Sequence, residues 1–172
     1  TVNADTDLNG TGALTVANGV TLAVSGQLQI VAGDLELTGT GALRGQEIDV
    51  ANSRPNRSIG LGNTAGDLTI SGAELQNITL TGGNLFLGRI VATSSIVVDG
   101  ITAANSANSA GLQLQATAAN GTVTFANTPS TFPGLGVAAA NGVAVNVNVT
   151  GGALFTVNAD TDLNGTGALT VA

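Results

Sequence analysis

The chain has 172 residues, 43% hydrophobic but only 2% aromatic and 9% charged, with a formal net charge of −7 and neither Cys nor His. Leu, Val and Ile are too frequent, and the charge too modest, for an unfoldable segment, while the absence of Cys rules out a disulfide framework and Cys-based zinc or redox motifs. There is no Lys and all four Arg lie between positions 44 and 89, so no basic surface is available for phosphates, and nucleic acid is excluded as a partner.

Residues 1–17, TVNADTDLNGTGALTVA, recur without a change at 156–172. The chain therefore reads as one 155-residue unit, 1–155, followed by the start of the next identical repeat, 156–172, in a tandem array. Between the two copies, short segments in which every second residue is apolar follow one another: LTV at 14, LAV at 22, LQI at 28, LEL at 35, IDV at 48, IGL at 59, LTI at 68, ITL at 78, LFL at 85, IVV at 96, LQL at 112, VTF at 123 and VAVNVNV from 143. A period of two predicts strands, and the Gly- and Asn-rich links between them supply tight bends. Two places break the rhythm. SGAEL, Ser71 to Leu75, has the spacing of a capping box and predicts one helical turn over 73–77. NTPSTFPGLG, 127 to 136, carries two prolines and predicts a protruding loop that presents Phe132 as a contact residue. No run approaches the roughly 18 unbroken apolar residues of a membrane helix, so no transmembrane segment is expected.

Uniform short strands in a repeated chain predict an all-β fold, a right-handed parallel β-helix (β-solenoid) with three short strands per coil. At about 19 residues a coil, a 155-residue repeat would hold about eight coils and advance roughly 38 Å at the spacing of neighbouring strands. A single coil buries too few side chains, at about 1.5–3 kcal/mol each, to offset about 1–2 kcal/mol of backbone ordering per residue. Stacking shares each coil's core with the next, so the partners of a repeat are first of all its neighbouring identical repeats.

The stretch RSIGLGNTAGDLTISGAELQNITLTGGNLFLG, 57–88, followed by IVVDGITA, resembles the degenerate repeats of large filamentous-haemagglutinin-type bacterial exoproteins, in which an AEL turn joins two strands. That resemblance implies a secreted or cell-surface β-helix of a Gram-negative bacterium, exported by a two-partner or autotransporter-like route and serving as a fibrous adhesin. The expected function is accordingly a structural and adhesive segment of a long extracellular fibre, in adhesion, aggregation or biofilm, with no enzymatic activity. From Gly100 to Ala159 there is no charge at all, which makes lateral self-association into fibres an expectation as well.

One alternative is a calcium-binding extracellular module. Asp5, Asp7 and Asn9, repeated as Asp160, Asp162 and Asn164, follow the D-x-D-x-N-G opening of a calcium loop. The twelfth position counted from Asp5 is Val16 rather than Glu, and the flanks read as strand, so an Asx-type corner competes with the ion site. Otherwise no cofactor is expected. A more remote alternative is a polysaccharide-processing β-helix enzyme, for which Asp34 and Glu36 are the nearest approach to a carboxylate pair.

Overall fold

The computed structural model describes residues 1–172. It contains twenty strands and two short helices. Every strand pairing is parallel, which makes the protein an all-β fold of parallel sheets. Twelve of the thirteen apolar segments read from the sequence fall on single strands to within a residue, because alternation puts one set of side chains inward and leaves the other to solvent, whereas the segment from 143 is divided between Val143–Val145 and Val149–Gly151 with 146–148 outside the strands.

The largest sheet stacks seven strands in chain order: Val2–Asn3, Gln27–Ala32, Glu47–Asn52, Leu85–Leu87, Leu112–Ala116, Leu135–Ala139 and Phe155–Asn158. Its inward positions form an unbroken ladder. Val2 pairs with Ile30, Ile30 with Val50, Val50 with Leu87, Leu87 with Leu114, Leu114 with Val137, and Val137 with Val157. Six pairings thus lead from Val2 to Val157, which is the same residue of the two copies. Each pairing here marks one return of the chain to this sheet, so the expected count of about eight is corrected to six. The reason is that the spacing is uneven: Leu28 to Ile48 takes 20 residues, whereas Ile48 to Leu85 takes 37 and includes an extra strand and a helix.

A second sheet orders Leu169–Val171, Val143–Val145, Thr122–Phe125, Thr93–Asp99, Arg57–Gly62 and Leu68–Ile70. The pair Ala13–Val16 and Asp34–Leu37 abuts its far end, where the Thr69 N–H donates to the Asp34 carboxylate at 3.0 Å. A third group joins Thr21–Ala23, Ala42–Gly45 and Ile78–Leu80, and Ser130–Phe132 pairs with Val149–Gly151. Thirty buried apolar residues form one continuous cluster enclosed by these sheets. Aliphatic side chains dominate it, with only Phe125 and Phe132 adding aromatic bulk.

The helical turn predicted at SGAEL is present as Gly72–Gln76, with Ser71 as N-cap and the reciprocal bonds of a capping box to Glu74. Glu74 also accepts from the Leu37 N–H at 3.1 Å, which ties the turn to a strand 37 residues earlier. A second helix, Ala103–Ser106, lies outside the sequence expectations. Its cap is built the same way from Thr102 and Asn105, with an amide in place of the carboxylate.

The protruding loop expected around Phe132 is a correction. Ser130–Phe132 is a strand, and Phe132 is 1% exposed, facing the core. Pro129 and Pro133 stand on either side of it, so the ladder needs no N–H from either. The donors come from between them, Ser130 N–H to Asn148 O at 3.1 Å and Thr131 N–H to Ile101 O at 2.8 Å. No helix is long and apolar enough to cross a membrane.

Candidate functional site

The loop after the first strand is drawn together by its own side chains. Asp5 is 3% exposed despite being charged, which demands partners for both oxygens. Oδ1 accepts from the Asn9 N–H at 3.2 Å, and Oδ2 accepts from the Gly10 N–H at 2.7 Å and from the Ser53 hydroxyl. Asp7 accepts from the Asn9 N–H at 3.4 Å and from the Asn9 side-chain amide at 2.8 Å, while Asn9 Oδ1 accepts from the Thr11 N–H at 2.9 Å. Asp5, Asp7 and Asn9 therefore do converge on one turn. They accept from N–H donors of their own turn, and no group of three or more His, Cys, Asp or Glu side chains is placed to hold a metal ion. The arrangement is an Asx-turn corner whose side-chain oxygens are engaged by backbone donors. Millimolar calcium is expected to leave the melting temperature unchanged to within about 1 °C and to produce no heat in titration calorimetry.

Ser53 escapes a reading of the sequence because it lies 48 residues from Asp5 and belongs to no motif. Its hydroxyl fastens the corner to a segment two strands further up the largest sheet. A similar clamp closes another corner. Asp99, 5% exposed, accepts from the Asn127 side chain at 3.0 Å and the Thr128 N–H at 2.9 Å, joining the ends of Thr93–Asp99 and Thr122–Phe125.

These bonds favour the ionised carboxylates. The Ser53 hydroxyl above all, then Asp7 and the Gly10 and Asn9 amides, hold the Asp5 carboxyl below its usual value. The Asn127 side chain, then Thr128, does the same for Asp99. The Ser58 N–H leads for Asp67, followed by the Ser58 hydroxyl and Arg57. A carboxyl with a depressed folded value contributes its stability fully above the unfolded value of about 3.9 and loses it as pH falls through the folded one. Melting temperature is thus expected to hold from neutrality to about pH 5 and drop below about pH 4. Asp5→Asn combined with Asp99→Asn should lower it at pH 7 and flatten the acid limb, as followed by circular dichroism.

The outward face of the largest sheet carries the densest charge. Arg89 donates to both oxygens of Asp49 at 2.6 Å each and to Glu47 at 2.6 Å, while the Gln27 amide bridges Glu47 at 2.9 Å and Asp49 at 2.8 Å. The guanidinium also lies 3.5 Å from the centroid of the Phe86 ring. Asp49, first among its partners, raises the Arg89 value further. Both Asp49 oxygens and Glu47 Oε1 meet donors, which gives a structural clasp across three adjacent strands.

Asp34 and Glu36 sit on one strand, as the alternation predicts. Asp34 is committed to the Thr69 N–H, and the third carboxylate bordering the same shallow groove, Glu74, caps the helix and binds the Leu37 N–H. Asp160, Asp162 and Asn164 rebuild the Asx turn of the first copy, with one difference: Asp160 accepts only from the Gly165 N–H, at 3.0 Å, and its Oδ1 is buried without a partner. No protein-family model, curated protein or solved structure matches this chain.

Proposed function

We propose that the protein is a structural and adhesive segment of a long extracellular or cell-surface fibre, wound as a right-handed parallel β-helix and belonging with the filamentous-haemagglutinin-type exoproteins of Gram-negative bacteria. The observation that carries this reading is the ladder from Val2 to Val157. A 155-residue unit returns to its own register after six pairings, so identical units added end to end would continue the same sheets without a seam. Three further features support it. The core is one continuous, mostly aliphatic cluster, the polar corners are fastened across neighbouring strands by Asp5–Ser53 and Asp99–Asn127, and most carboxylates serve in hydrogen bonds of this kind. A stiff rod that spaces and displays surfaces needs no more chemistry than this.

Electron microscopy of polypeptides carrying two, four and eight of the 155-residue units tests the proposal. Rods are expected whose length grows by about 29 Å per unit, six strand spacings of roughly 4.8 Å. Strings of separate beads, or a length that does not scale with unit number, would exclude it. Adhesion is read separately, by asking whether the eight-unit rod coated on beads retains bacterial or host cells when a two-unit rod does not.

A further inference from the structure

Leu8 stands where the backbone favours Asn or Gly. Its φ is +54°, in the left-handed region that a branched side chain rarely adopts, and its counterpart Leu163 repeats the conformation at +57°. The Asx corner holds it there: the Leu8 N–H donates to Asp5 O at 3.2 Å, and Asp5 is fastened to Ser53. No burial offsets the strain. Leu8 is 53% exposed with the following circuit of the chain stacked on its corner, and Leu163 is 85% exposed while its corner stands on the preceding one. The two copies together show both neighbours that Leu8 has in a continuous array, and neither covers it. An apolar side chain is thus presented outward once in every 155 residues.

A neutral groove of about 270 Å³ lies on the same flank. Gly142 and Ala144 form its floor between Thr122 and Thr124 on one side and Thr166 and Thr170 on the other, so both walls belong to circuits present in the structure. It borders the corner at which the largest sheet passes into the second, and Leu8 occupies that same corner. The Thr161 N–H donates to Ala139 O at 3.0 Å and the Thr166 hydroxyl to the Asn141 side chain at 3.2 Å, which sets the Asx corner of one unit directly upon residues 139–141 of the unit before. Leucine and groove are therefore one circuit apart on one flank.

We propose that Leu8 seats in the Gly142–Ala144 groove of a second copy of this chain, in a rod lying antiparallel beside the first. The inference rests on the solenoid reading above. A two-fold axis between two facing flanks brings each rod's leucine to the other's groove, an isologous contact, whereas parallel rods align only one of the two exchanges. The partner is a copy because its grooves recur at the same six-pairing interval as the leucines, so every added unit adds contacts in register. Charge selects the groove. Asp5 and Asp7 accompany Leu8, and the groove bordered by Asp34, Glu36 and Glu74 would repel them. The neutral groove lies in the stretch without charge and carries the Asn141 amide and threonine hydroxyls on its rim. A two-fold contact closes on itself, so rods pair and do not bundle further.

Sedimentation and electron microscopy of the four-unit polypeptide test the pairing. Rods of twice the single-chain mass and width are expected, with a gold label on one terminus appearing at both ends of each pair. Leu8→Asn in every unit should leave single rods whose melting temperature at high dilution is no lower than the parent's, because Asn adopts the left-handed conformation more readily than Leu. Ala144→Phe fills the groove from an outward position and should also leave single rods. Val20→Asn alters an apolar side chain that is 51% exposed at a different corner, and should leave the pairs intact. Single rods from the parent chain, pairs that survive Leu8→Asn or Ala144→Phe, or labels gathered at one end would each overturn the docking while the solenoid stands. Separate beads in place of rods would remove the solenoid reading beneath it.

Discussion

Phe132→Ala is expected to destabilise the protein by about 3–5 kcal/mol, the range for removing a buried aromatic ring from a core that cannot collapse around the gap. Phe132 is one of the two aromatic side chains in the continuous cluster, and its neighbours are held by backbone ladders on both sides. Aliphatic neighbours on fixed strands have little freedom to move into the void. Phe155→Ala is the matched control. That ring is 41% exposed at the open edge, and its loss should cost less than about 1 kcal/mol. Denaturant midpoints with unchanged slopes measure both. Equal and small effects from the two variants would return Phe132 to the surface loop that the prolines suggest.

The strands that carry the apolar alternation are legible because it shows within three or four residues, as an inward apolar residue on either side of one outward residue, a mark that Ser130–Phe132 lacks. The capping box at Ser71 and Glu74 is legible for the same reason, since donor and acceptor lie three residues apart. What the sequence hides involves distance along the chain. Pro129 and Pro133 argue against a strand only if they fall inside the ladder, and their flanking placement is fixed by the pairing of Ser130 with Val149, not by local sequence. The six-step register depends on how many residues each circuit absorbs, and the extra strand Leu68–Ile70 with its helix lengthens one circuit without altering the alternation. The site chemistry is hidden likewise. Asp5 looks like a metal ligand beside Asp7 and Asn9, and becomes a corner clamp only when Ser53 is brought to it. Arg89 is an isolated cation in the sequence, and its bond to Asp49 spans 40 residues.

Gly62→Ala should be nearly as damaging as the loss of Phe132, for a reason that involves no core volume. Gly62 ends the strand Arg57–Gly62 with φ +94°, in the left-handed region where a Cβ costs about 1–2 kcal/mol. It is also paired with Asp99, and a Cβ at this position would fall well inside 3.0 Å of the Asp99 carbonyl oxygen. That oxygen cannot retreat, because it accepts from the Asn63 N–H at 2.9 Å while the Asp99 side chain is held by Asn127 and Thr128. Overpacking against a fixed backbone adds about 1–3 kcal/mol, so a total of about 3 kcal/mol or more is expected. Two other glycines separate the causes. Gly19 has φ +76° with open space around it, and Gly19→Ala should show only the backbone part, about 1 kcal/mol. Gly26 has neither the positive φ nor a close neighbour, and Gly26→Ala should be neutral or stabilise by up to about 1 kcal/mol through the unfolded chain. Gly62→Ala is thus expected to lower the denaturant midpoint most, Gly19→Ala less, and Gly26→Ala least. If Gly62→Ala matched Gly19→Ala, the corner joining Arg57–Gly62 to Thr93–Asp99 would be looser than the clamp at Asp99 requires, and the polar fastening of one strand to the next would no longer account for the order of that corner.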